Sequence, residues 1–244
     1  MKRLLTVLFL LSFFTTYSQE HRWVKPFNKI LVGPHIELIL EKGDSETVLI
    51  SNLEVDEEKV NTKVQGNTLM IYLDDARITT KYRKESNNGY DMKTPVYSGT
   101  IATVTVTYKY LSKLSLRGEE EHVVKSTLDA DRMSIKMYGE GELNIASIKS
   151  ERLKVKLYGD NHFKIKEGNI RQQKYKSYGG NVVDTRGIES EIAKSSNFGE
   201  SRFKLQASQL VKFSSLGEST IEYSGVSHIR KGIVIGENEI YRRN

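Results

Sequence analysis

The sequence predicts an all-β protein: a right-handed parallel β-helix built from coils of about 20 residues, with a β-rich N-terminal cap. Three observations carry that prediction. Glycines recur at Gly118, Gly139, Gly159, Gly179, Gly199, Gly217 and Gly236, in steps of 21, 20, 20, 20, 18 and 19 residues. Around them apolar residues alternate with polar ones at a spacing of two, which puts them on one face of a strand. The spacing of three and four that a helix needs is absent from the same stretch.

Residues 1–18 read as a secretory signal peptide. Lys2 and Arg3 precede an apolar run from Leu4 to Phe14, and the small residues Thr16 and Ser18 mark the cleavage positions. The run is shorter than the roughly 20 residues that span a bilayer, so the mature chain is expected to be exported without a membrane span. Removing the leader leaves 226 of the 244 residues, and the formal charge falls from +6 to +4 because Lys2 and Arg3 are the only charged residues lost. A balance this mild does not by itself call for nucleic acid or lipid. The chain has no cysteine, which excludes disulfides, thiol nucleophiles and thiolate metal sites and leaves stability to packing.

Residues 19–115 read as the β-rich N-terminal part. "KILVGPHIELILEKGDSETVLISN" gives two strands around a turn at Gly43-Asp44, and "NTKVQGNTLMIYLDD" gives a hairpin turning at Gly66-Asn67. Asp56 is placed to cap one short helical turn before Val60. Such a part would cover the open end of a solenoid core. Residues 74–100 interrupt it as a long loop, with a turn signal at Asn87-Asn88-Gly89 and with Tyr82, Arg83, Tyr90 and Tyr97 as candidate contact residues.

Residues 116–244 carry the coils. The residue before each glycine is large: Tyr138, Tyr158, Tyr178, Phe198, Leu216, Ile235. Four residues past each glycine stand Leu143, Phe163, Val183, Phe203, Ile221 and Ile240, with Ile145, Ile165, Thr185 and Leu205 two further on. A third apolar set follows at Leu128, Ile148, Ile170, Ile188, Leu210 and Val226. The glycines are expected at sharp corners with positive φ. An acid follows most of them (Glu119, Glu140, Asp160, Glu200, Glu218, Glu237, with Gly180 the exception). This is turn chemistry. A calcium ladder is the sharper alternative, but one carboxylate per coil is too few for it.

The order of these elements, from "FNKILVGPHIELILEKGDSETVLIS" through "NTLMIYL" to "ATVTVTYKYLSKLSLRGEEEHV" and the coils, resembles the head GIN domain family of autotransporter adhesin heads from Bacteroidetes. The resemblance spans residues 24–240. It implies an exported β-helical protein with a binding or adhesive role in the cell envelope, and it brings no catalytic residues to transfer. The 74–100 loop is longer than the family pattern needs.

The residues themselves point away from catalysis. Glycosidases on β-helices need two specialised carboxylates, whereas these acids recur regularly at corners. The histidines at 21, 35, 122, 162 and 228 form no zinc spacing, and neither GxSxG nor a P-loop is present. No enzyme, cofactor or metal is expected. The informative constellation is a lysine row: Lys136, Lys154, Lys156, Lys174, Lys176, Lys194 and Lys212, with Lys231, at alternating outward positions of one strand in successive coils. Opposed like charges disfavour each other, so the row asks for a reason. One is solubility and protection against association. The other is recognition of an extended polyanion, such as an acidic polysaccharide or lipopolysaccharide. Nucleic acid fits poorly, since aromatic residues are not interleaved with these lysines. The sequence thus leads to an exported, non-catalytic envelope module, periplasmic or at the cell surface, binding an acidic polymer or an envelope protein. A purely structural envelope protein and a polysaccharide-degrading enzyme are the alternatives.

Overall fold

The computed structural model describes residues 21–87, 90–225 and 228–243. The leader, the Asn88-Gly89 turn signal and Val226 lie outside them. The described chain folds as a β-solenoid, in which each coil pairs in parallel with the next at a spacing of about 20 residues.

The coil from Glu142 to Gly159 shows how the sequence builds a turn of the solenoid. It pairs with the next coil in three runs, Leu143 opposite Phe163, Ile148 opposite Gly168 and Val155 opposite Tyr175. Pairing breaks at Ala146 and Glu151, where the alternation of inward and outward residues slips by one. Alternation turns Leu143, Ile145, Ile148, Leu153, Val155 and Leu157 inward, and all are buried. The predicted inward positions Phe163, Val183, Phe203 and Ile221, with Ile165, Thr185 and Leu205, are buried as well.

The third apolar set is corrected by the register. Gly168, not Ile170, stands opposite Ile148 and Ile188, while Ile170 pairs with Ser150 and Ser190. A side chain at 168 would collide with the Ile148 carbonyl, so the apolar residue is displaced by two positions. Leu210 faces Ile192 rather than Ile188, because the Gly199 coil is the short one.

At the corners the predicted glycines all have positive φ, from +99° at Gly236 to +126° at Gly217. They also stack, so that a Cβ at Gly159 would collide with the carbonyl oxygen of Gly139. Gly180 breaks the acid pattern for a visible reason. The Asp160 carboxylate of the preceding coil accepts its backbone N–H at 2.7 Å, and a Cβ there would lie 2.9 Å from that oxygen.

The N-terminal part supplies rungs of the same ladders. Lys29–Val32 lies between Thr68–Leu73 and Lys113–Gly118, parallel to both. Ile36–Lys42 lies likewise between Ala102–Tyr108 and Glu121–Asp129. The boundary read at 115/116 therefore falls inside a strand. Thr47–Ser51 and Val60–Gln65 pair antiparallel on the outermost strands, and His21–Trp23 on Thr47–Ser51. The hairpin at Gly66-Asn67 forms as expected. The strands flanking Gly43-Asp44 also form, but Ala102–Tyr108 separates them. Glu57–Lys59 makes one 3₁₀ turn, and Asp56 gives it no side-chain cap bond. One apolar core runs from Phe27 in this part to Ile221 in the coils.

Candidate binding face

The lysines sit on the last run of each coil, the one that ends at the corner glycine. Positions five before the glycine stack into a column of Lys113, Ser134, Lys154, Lys174, Lys194 and Lys212, with Lys29 beyond Lys113 and Arg230 beyond Lys212. Positions three before it stack into a second column, Ser115, Lys136, Lys156, Lys176 and Ser196. The structure thus brings all seven candidate lysines onto one face. Lys231 does not join them. A bulge after Phe213 sets Lys231 opposite that buried residue, and Arg230 takes the place beside Lys212.

Beside the lysines runs a ladder of rings. Tyr138, Tyr158, Tyr178 and Phe198 stack with centroids 4.8, 4.9 and 5.0 Å apart and planes within 7° of parallel. In-register pairing imposes this, since equivalent side chains repeat at the strand spacing, and each stacked pair adds about 0.5–1.5 kcal/mol beyond its buried area. Arg117 closes the end, its guanidinium 4.4 Å from the Tyr138 centroid. Beyond the rings lie the glycines and then the exposed corner acids Glu140, Asp160, Glu200 and Glu218.

Two ammonium groups one strand spacing apart repel by about 0.9 kcal/mol even in water. No ion pair among the described residues offsets this. The ion pairs among the described residues, such as Lys125–Glu41, Arg171–Glu151 and Arg186–Asp184, involve none of the column cations. The face is also hollowed. A depression of about 620 Å³ is lined by Lys113, Arg132, Arg152, Lys154, Gln172 and Lys174, among others, and by no carboxylate. A smaller one of about 170 Å³ shares Lys113 and adds Lys29, Arg117, Lys136 and Tyr138.

Sequence reasoning missed Lys29, Lys113, Arg132 and Arg152. The two arginines continue the same alternation seven residues before Gly139 and Gly159, so counting two positions further would have found them. Lys29 and Lys113 became neighbours only through rungs assembled out of chain order.

The loop candidates separate. Tyr82 and Arg83 lie on an exposed hairpin, Tyr82–Asn87 with Tyr90–Pro95, that pairs only with itself, and Tyr82 is 65% exposed. Tyr90 opens its return strand. Tyr97 is not a surface residue: it is buried, its ring centroid 5.8 Å from that of His35, because the base of the insertion packs into the core. Burial raises the Tyr97 hydroxyl above the ordinary tyrosine range.

A family model described as "Putative auto-transporter adhesin, head GIN domain" matches residues 26–226. No curated protein matches the sequence. Among solved structures, a "putative adhesin" from Bacteroides fragilis is similar with a TM-score of 0.77 at 20% identity, over 92% of this chain and 96% of that one. Another from Parabacteroides distasonis gives 0.64 at 17% identity, over 93% and 96%. A "putative lipid binding protein" from the same species gives 0.61 at 20% identity, over 94% and 98%. Identities this low carry the fold alone. The family match extends over most of the sequence and the fold agrees with it: this chain belongs to the head GIN domain family.

Proposed function

We propose that the protein is an exported, non-catalytic, adhesin-like module of the cell envelope that holds an acidic surface polymer on its cationic face. One observation carries the reading: two adjacent columns of lysines repeat rung after rung without a carboxylate partner among the described residues. A row built only for solubility would interleave both signs. The family description supports the adhesive role, and the leader-like residues 1–18 support export.

The test is retention of the mature protein on an immobilised anionic glycan over a salt gradient. A variant with Lys154, Lys156, Lys174 and Lys176 changed to Gln is run beside it. Wild type is expected to bind and the variant to elute at clearly lower salt. Equal elution would reduce the face to solvated scaffold. One structural relative carries a lipid-binding name, so vesicles with and without anionic headgroups form a second arm. Retention by anionic vesicles alone would move the reading from a polymer to a lipid surface.

A further inference from the structure

The larger depression on this face allows the polymer reading to be narrowed to a place, a direction and a charge spacing. We propose that the trough lined by Lys113, Arg132, Arg152, Lys154, Gln172 and Lys174 seats a linear glycan bearing one carboxylate per sugar, a polyuronate, lying along the solenoid axis across the strands. This rests on the polyanion reading above and specifies it.

The place follows from shape and chemistry together. Lys194 and Lys212 continue the same column but do not line the hollow, which is confined to the rungs from Lys113 to Lys174. There two guanidinium groups on adjacent rungs stand beside the lysines. Arg132 pairs with Arg152 on adjacent rungs, one alternation away from Ser134 and Lys154. A guanidinium offers a planar fork that holds a carboxylate through two parallel hydrogen bonds, which an ammonium cannot do.

The direction follows from electrostatics. Along the axis a straight ligand meets a cation on every rung of the trough: Lys113, then Arg132 on the rung of Ser134, then Arg152 with Lys154, then Lys174. Along a strand it would pass from Lys154 and Lys156 to Tyr158 and then to the corner acid Asp160. A polyanion is attracted along the first path and repelled at the end of the second.

The charge spacing follows from the rungs. Cations recur about every 4.8 Å along the axis, which suits one carboxylate per sugar. Each strand of a DNA duplex carries one charge per roughly 3.4 Å of its axis, and its phosphates would fall out of step within a few rungs. The columns are also not purely cationic. Ser134 interrupts the lysine column and Gln172 ends the arginine pair. These neutral groups can exchange hydrogen bonds with sugar hydroxyls between the charged contacts.

The experiment uses the mature protein, polygalacturonate as probe and calorimetric titration at fixed salt. Two double variants remove the same charge: Arg132→Gln with Arg152→Gln in the trough, and Lys194→Gln with Lys212→Gln outside it. The trough pair is expected to weaken binding about tenfold or more, the outer pair by less than about threefold. Arg132→Lys with Arg152→Lys keeps the charge and removes the fork, and an intermediate loss is expected. Methyl esterification of the probe, which thins its charge on an unchanged backbone, is expected to abolish binding. Equal weakening by the two Gln pairs would overturn the trough while leaving a diffuse polyanion face. Tighter binding of polyphosphate than of polygalacturonate would overturn the uronate assignment. No binding of any polyanion by wild type would overturn this inference and the function reading together. Far-ultraviolet circular dichroism of each variant shows that the fold is intact.

Discussion

At the corners a single missing atom decides which residue can stand. Gly159 has φ +105°, and a Cβ would meet the Gly139 carbonyl, whose own corner is built in the same way. Gly159→Ala therefore incurs both strain and collision and is expected to destabilise the protein by about 3 kcal/mol. Urea denaturation checks this, and an unchanged midpoint would mean that the corner relaxes freely. These glycines were legible because their period survives any reading frame. Two other residue-level features were not. Gly168 broke the third apolar set, since counting from corner glycines cannot see a shift within one coil. The polar ladder inside the corner also stayed hidden. Asn161 donates through Nδ2 to Asn181 Oδ1 at 3.0 Å, and Asn181 donates through Nδ2 to Ser177 Oγ at 2.8 Å, all of them buried. Two residues past a glycine, an asparagine reads as an exposed turn residue, and nothing in the one-dimensional pattern turns it inward.

Among the elements, the 74–100 insertion separates into an anchored base and a free hairpin. The base is tied in by Ile101 N–H donating to the His35 carbonyl at 2.8 Å, by the contact of His35 Nε2 with Thr80 Oγ1 at 2.6 Å, and by buried Tyr97. The hairpin pairs with nothing else, and Tyr82 stands directly opposite Pro95. Replacing residues 83–94 by a Gly-Ser pair should leave the thermal midpoint within about 3 °C of wild type. A larger fall would show that the hairpin packs on the solenoid. If glycan retention vanished in the shortened protein, the removed hairpin, with Arg83, would replace the lysine face as the site. The sequence showed where this insertion lies but not where it divides. Tyr82 and Tyr97 are the same residue type in one polar stretch, and only tertiary packing separates them.

On the scale of the whole molecule, stability toward acid is set partly by one buried side chain. His122 occupies the inward position equivalent to Leu143, its Nδ1 accepting the Leu38 N–H at 3.2 Å, and burial pushes its pKa down to about 4. The unfolded chain takes up that proton near pH 6.5 and the folded chain only near 4, so stability is lost as pH falls through this window, by about 3 kcal/mol in all. Glu120 acts in the opposite sense. Burial raises its carboxyl above the ordinary range, so it favours folding on the acid side and loses that contribution as pH rises. Comparing wild type with His122→Gln in urea melts at pH 7 and 4.5 isolates the histidine. The variant should lose less stability on acidification, whereas equal loss would assign the effect to carboxylates. The coils as a stack were legible in the sequence, but the joining of the N-terminal third to them was not, since parallel pairing across so long a stretch leaves no local signature. That long-range pairing also orders events in time. Coils such as those paired through Leu143 and Phe163 find their partners one turn away, while Leu38 waits for His122, 84 residues downstream. Closing the longer loop costs roughly 1 kcal/mol more. A chain emerging N-terminus first therefore holds its first strands open until the rungs at Lys113–Gly118 and Glu121–Asp129 arrive, and only on that completed end can the coils from Glu142 onward be laid down one turn at a time.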